Sequence, residues 1–251
     1  MKKLIVACIA LLGLGLSGLA FADGAGLGIV GSPHDFTDDY SDEVGGAVLE
    51  LGTTGGWNKR NEICRVCHVP HDHQLATQRY TNGLLWNHAV SAATYTMYDS
   101  AWSSTLDGAQ SAQPDGVAKL CLGCHDGTIA IDTFDNYAGT AGNEMANIYG
   151  GGLMHFQVPS FADGANEDLR GTHPLSIIYD TAADPNLNAT STAMGTSGTI
   201  ADVLDNGKVQ CSSCHDVHDQ ESVAGTHLLR VAQTVAQGGA ASGLCLTCHD
   251  K

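Results

Sequence analysis

The sequence is short of basic residues. Lysine and arginine number 11 against 27 aspartates and glutamates, which gives a formal net charge of −16. A chain this acidic repels phosphate groups, so nucleic acid is not expected as a partner. Basic side chains that would collect an anionic substrate are scarce for the same reason. The charge instead suits solubility and the attraction of cationic surfaces or basic proteins.

The sequence also lacks cysteines that are free to form disulfides. Of nine cysteines, eight stand in four CxxCH units, and the ninth, Cys8, lies near the N-terminus. There, two lysines precede the apolar run Leu4–Leu19, and an A-x-A cleavage site follows it. We therefore predict that residues 1–22 are an export signal, and that its cleavage removes Cys8 from the mature chain. The mature chain, residues 23–251, then has no disulfide framework, no lipid anchor and no membrane span.

The four CxxCH units carry the chemistry. In each unit two thiols stand two residues apart and a histidine follows the second, which is the spacing that attaches c-type haem. The thiols bind the two vinyl groups of one porphyrin, and the adjacent imidazole becomes the proximal axial ligand of the iron. Zinc sites also use paired CxxC units, but they do not require a histidine at the next position. The predicted cofactors are thus four haem c groups, on Cys64, Cys67 and His68, on Cys121, Cys124 and His125, on Cys211, Cys214 and His215, and on Cys245, Cys248 and His249.

The predicted fold class is a multihaem cytochrome c that is mostly coil, with short α-helices and little sheet. A mature chain of 229 residues (251 − 22) leaves about 57 for each haem, too few for a conventional core around each cofactor. We therefore expect the four covalently attached haems to form the core. The 31 glycines favour coil, and helices are predicted at Val117–Cys124 and Leu228–Gln237.

The order of motifs indicates a duplicated dihaem unit within one domain, with halves at about residues 23–150 and 151–251. In each half a histidine precedes a CxxCH unit with a further histidine at plus three, and a CLxCHD unit follows. The early histidines are His34 and His173, and the plus-three histidines are His71 and His218. Because the lengths between motifs differ in the two halves, the alternative to duplication is that the two halves acquired similar haem-binding motifs independently.

Eight histidines remain beyond the four proximal ones, enough for a second histidine on every iron. From the repeat, the predicted distal ligands are His34, His71, His173 and His218. His88 is the alternative to His34, because its surroundings resemble those of His173. Methionine ligation is a second alternative, through Met97, Met145, Met154 or Met194.

In these motifs and their order, the chain resembles a known family, the tetrahaem outer-surface cytochromes of metal-reducing bacteria (the OmcE type). The matching pieces are spread over nearly all of the mature chain. They are Ser32–Asp35, Cys64–His71, Leu85–Asn87, Lys119–Thr128, Thr172–Pro174, Cys211–His218 and Leu244–His249. The acidic and glycine-rich loops between them show no comparable match.

The resemblance implies an electron-transfer protein, not an enzyme, with low-spin bis-histidine haems stacked for electron hopping. It further implies an exported protein at the cell surface or outside the cell, whose copies join head to tail into a filament. Other redox proteins or extracellular metal oxides would be its partners. The alternatives are a soluble periplasmic shuttle and a multihaem reductase, which needs an exchangeable axial position. His34 stands near the predicted mature N-terminus, so we hypothesise that it crosses to a haem of the next copy.

Overall fold

The computed structural model of the protein describes residues 28–36, 62–69, 85–129, 134 and 167–250. Most of these residues lie in turns and coil, joined by short helices and one small sheet. The predicted export signal and His71 lie outside the described residues. The expected core of haems stays a prediction, as does the division into two dihaem halves.

The helices and strands are few and short. Helix α1 spans Gly116–His125, α2 Ile200–Val203, α3 Cys211–Cys214 and α4 Gly243–Cys248, and a 3-10 turn spans Val235–Gln237. Strands β1 (Ile177–Ile178) and β2 (Lys208–Val209) pair antiparallel, with Ile177 opposite Val209. Among the described residues, no helix is long and apolar enough to cross a membrane.

Helix α1 confirms the helix predicted at Val117–Cys124 and extends it by one residue at each end. Its apolar residues Leu120 and Leu122 are each 1% exposed, and Leu122 packs with Tyr95 and Leu169 in the apolar core. Gly123 lets the helix approach the segment that contains Ala89, because a Cβ there would lie 2.5 Å from the Ala89 carbonyl oxygen. The second attachment motif therefore lies on a helix that is packed into the apolar core.

The helix predicted at Leu228–Gln237 is wrong over most of its length. Only Val235–Gln237 forms a turn of 3-10 helix, which ends at Gly238 in the left-handed conformation. The preceding residues pair with the third attachment motif instead: Asp216 N donates to Leu228 O at 2.8 Å, and Arg230 N donates to Cys214 O at 2.9 Å. Leu228 has a φ of +58°, so this tertiary pairing overrides the local helical preference.

A polar cluster joins the start of α1 to β2. Lys208 Nζ forms an ion pair with Asp115 and donates to Ser111 Oγ at 3.0 Å, while Gln210 Nε2 donates to Asp115 Oδ1 at 3.0 Å. Asp115 directly precedes α1, and Gln210 directly precedes Cys211 of α3. The cluster therefore ties the second attachment motif to the third.

Candidate haem-binding centres

All eight cysteines of the CxxCH units are among the described residues, and none forms a disulfide there. Burial, followed by the neighbouring thiols, raises the pKa of Cys67 to about 12. Burial and then Asp126 raise the pKa of Cys124 to about 12. A catalytic CxxC dithiol needs a lowered thiol pKa, so this environment does not suit thiol–disulfide exchange.

Successive attachment motifs lie near one another in the described chain. Cys124 of the second motif adds to the rise in the pKa of Cys67 in the first, and helix α1 of the second motif contacts helix α3 of the third. Cys245 and Cys248 of the fourth motif add to the rise in the pKa of Cys214 in the third.

Three of the four proximal histidines face a second histidine ring. His125 faces His34 with ring centres 6.1 Å apart, His68 faces His218 at 6.3 Å, and His249 faces His173 at 6.2 Å. The angles between the ring planes are 63°, 24° and 56° respectively. Each second ring is one of the distal histidines expected from the sequence.

These separations fit two imidazoles on opposite sides of one metal ion. An imidazole nitrogen about 2.0 Å from a metal puts its ring centre about 3.1 Å away, so two trans imidazoles have centres about 6.2 Å apart. Packing alone does not require this value in three separate places. The histidine pairs therefore fit the axial positions of haem iron.

Two histidines beside the motifs, the proximal candidate His215 and the distal candidate His173, have tautomers that suit metal ligation. His215 Nδ1 lies 2.7 Å from the His227 carbonyl oxygen, and His173 Nδ1 lies 2.8 Å from that of Pro174. Because a carbonyl oxygen only accepts, Nδ1 must carry the proton, which leaves the lone pair on Nε2 for a metal. Burial also lowers the pKa of His215, which favours the neutral ring that a metal requires.

His34 lies against its own chain in the described structure, and its proposed crossing to a second copy stays a prediction. Gly28 N donates to Asp219 O at 3.0 Å, and the His34 backbone N–H donates to Ser32 Oγ at 3.2 Å. Burial, and then the nearby His125, lowers the pKa of His34 to about 4, so the ring is neutral at physiological pH. In this position its ring lies 6.1 Å from that of His125 in the second attachment motif.

The remaining candidates fall in different places. His215 has no ring partner among the described residues, and His71 lies outside them. His88 is 0% exposed, and its Nδ1 lies 2.9 Å from the Ala89 carbonyl oxygen. Its Nε2 lies 3.5 Å from Cys124 Sγ, beside the attachment sulfur of the second motif. Of the methionines considered as ligands, Met97 packs on the apolar core and Met194 is buried.

Two buried carboxylates lie beside the motifs and were not predicted as site residues from the sequence. Asp126 follows His125 and is 0% exposed, and Asp216 follows His215 and is 5% exposed. Asp126 accepts a hydrogen bond from Tyr95 Oη. Asp216 accepts backbone N–H bonds from residues 218, 220 and 221 at 2.7–3.1 Å. The signal was present in the sequence, because aspartate follows the histidine in three of the four motifs.

Searches against protein-family models and against curated proteins find no match for this chain. Within the described residues, no group of three or more His, Cys, Asp or Glu side chains converges as a metal cluster would. The arrangement that these residues do present is the facing pair of histidines, repeated beside three of the four attachment motifs.

Proposed function

We propose that this protein transfers electrons through four covalently attached haem c groups, each ligated by two histidines. The three histidine pairs with ring centres 6.1–6.3 Å apart carry the proposal. The proximity of successive motifs also supports it, because electron hopping needs neighbouring centres. A bound haem supplies an iron that takes up and releases one electron at a time.

The chain's residues would divide the work among attachment, ligation and orientation. The eight motif cysteines form the thioether links, and the four histidines that follow them are the proximal ligands. His34, His173 and His218 are the distal ligands opposite His125, His249 and His68. The carbonyl oxygens of Pro174 and His227 hold the tautomers of His173 and His215.

The repeat assigns the fourth distal ligand. His34 and His173 occupy equivalent places in the two halves, and they face the equivalent histidines His125 and His249. His218 of the second half faces His68 of the first. By the same relation, His71 of the first half is the proposed ligand opposite His215 of the second.

We further propose that copies of the protein join head to tail into an extracellular filament, on the strength of the resemblance to outer-surface tetrahaem cytochromes. With both axial positions of each iron filled by histidine, the protein would carry electrons without acting as a reductase. Redox proteins and metal oxides are the partners that this function needs. The soluble periplasmic shuttle is the competing form of the same electron-transfer function.

Two measurements on the exported protein test these proposals. Electron paramagnetic resonance of the oxidised protein should show low-spin iron only, and a high-spin signal that shifts on adding cyanide or nitrite would favour a reductase. Electron microscopy of the secreted fraction should show rods that survive shearing from cells. A monodisperse monomer in the periplasm would instead identify the shuttle.

A further inference from the structure

Arg230 is a basic residue that contacts the third attachment motif from outside it. Its side chain is 14% exposed, and Nε donates to the carbonyl oxygen of Ser212 at 2.9 Å. Ser212 lies between Cys211 and Cys214, and the Arg230 backbone N–H donates to Cys214 O at 2.9 Å. Arg230 therefore contacts the third motif through both its backbone and its guanidinium group.

The guanidinium group is fixed from a second side. Nη1 donates to Ser197 Oγ at 2.9 Å and to Glu221 Oε2 at 2.6 Å, and Nη2 lies 4.0 Å from Asp216 Oδ1. Arginine stays protonated at every pH that a protein tolerates. The third motif thus has a permanent positive charge at a fixed place, in a chain that has few basic residues.

This charge lies beside the atoms of the third motif. The guanidinium group contacts the carbonyl oxygen of Ser212 between the two motif cysteines, and it lies 4.0 Å from the carboxylate of Asp216, the residue after His215. A fixed charge at this place acts on any redox group that the motif holds, because electrostatic interactions are poorly screened in a protein interior.

We propose that Arg230 tunes the reduction potential of the haem attached at Cys211 and Cys214, and that Glu221 opposes it. The inference rests on the proposed function. When an electrode donates one electron to the ferric haem, the centre gains one negative charge, and no bond forms or breaks. A nearby positive charge stabilises the reduced form and raises the potential, whereas a nearby carboxylate lowers it. Asp216 contributes in the same direction as Glu221.

The test is a spectroelectrochemical titration of the holoprotein and four variants. In Arg230→Gln, one of the four one-electron steps should shift to lower potential and three should stay in place. In Glu221→Gln, one step should shift to higher potential. Arg170→Gln is the matched control: the Arg170 side chain donates its hydrogen bonds to Asp168 and lies over the Trp102 ring, so its four steps should be unchanged.

The direction of the shifts separates tuning from a structural role. Shifts of the same sign in Arg230→Gln and Glu221→Gln, or no shift in either, would overturn the inference. Arg230→Lys retains the charge and should restore most of the wild-type potential. If Arg230→Gln fails to fold, Glu221→Gln decides the question, since the Glu221 side chain is 44% exposed. A wild-type protein without haem would instead overturn the proposed function.

Discussion

The second and fourth attachment motifs have similar facing-histidine geometry in different surroundings. His125 faces His34 at 6.1 Å and His249 faces His173 at 6.2 Å, with ring planes at 63° and 56°. Yet helix α1 of the second motif has ten residues, four of them buried, whereas α4 of the fourth has six residues and none buried. The two facing pairs are therefore alike where the surrounding protein packing is not.

The aspartates that follow the second and fourth motifs show the same contrast in burial. Asp126 is buried against Tyr95, whereas Asp250 is exposed and its backbone N–H donates to Asn186 O at 2.8 Å. We infer that protein packing stabilises the second motif by itself, and that the fourth depends on its haem for a core. The following predictions test this difference, from the largest effect to the smallest.

Removing the distal histidine should affect both motifs equally, because the ligand geometry is shared. His34→Ala and His173→Ala should each convert one haem of four from low-spin to high-spin iron, as measured by absorption and electron paramagnetic resonance. His227→Ala is the control, since that side chain is exposed and only its backbone carbonyl is used. Four low-spin haems in both His34→Ala and His173→Ala would disprove the assignment of the pairs.

Removing a packed side chain should affect the second motif strongly. Leu122→Ala leaves a cavity beside Tyr95 and Leu169 and should lower the free energy of unfolding by about 2–5 kcal/mol, the usual cost of a buried leucine. Val235→Ala is the control: this side chain is 74% exposed, so the change should stay within about 0.5 kcal/mol. Equal losses in denaturant titrations would contradict the packing contrast.

Changes at Asp126 and Asp250, the carboxylates after the second and fourth motifs, should lower the free energy of unfolding by different amounts. Tyr95→Phe removes a donor from the buried Asp126 carboxylate and should cost roughly 1–3 kcal/mol. Asp250→Asn changes an exposed group and should cost less than about 0.5 kcal/mol. Thermal unfolding of the two holoproteins provides the comparison, and a larger loss in Asp250→Asn would reverse our interpretation.

The smallest effect concerns the polar cluster that ties α1 to β2, and it depends on pH. Burial tends to raise the pKa of Asp115, but hydrogen bonds from Lys208, Ser111 and Gln210 outweigh it and lower the pKa below its usual value. Because the folded pKa is lowered, the stabilisation is present above the unfolded pKa of about 4 and is lost as pH falls through the folded value. Water screens this 40% exposed carboxylate, so Asp115→Asn should cost about 1 kcal/mol or less at pH 7.

Urea unfolding at pH 7 and at pH 3 measures that dependence. The difference in unfolding free energy between wild type and Asp115→Asn should shrink at the lower pH. Asp202→Asn is a control for a carboxylate that is hydrogen-bonded only to the nearby Thr199. A difference that grows on acidification would show that Asp115 is protonated in the folded state.

The sequence predicted which histidines lie together better than it predicted the secondary structure. The repeat selected three histidines whose rings lie 6.1–6.3 Å from a histidine of a CxxCH unit, while haem attachment at those units stays a prediction. The pairing of His68 with His218 was not predictable, because it joins residues of opposite halves and depends on tertiary packing. The helix expected at Leu228–Gln237 failed for a related reason: its first residues pair with the third motif, a contact that local propensity does not contain.

The most direct test of the account is the intact mass of the exported chain, combined with a titration of thiols in denaturant. We predict the mass of the processed chain plus four covalently attached haems, with no thiol left to react. Eight reactive thiols on a chain without added haem mass would contradict the central claim.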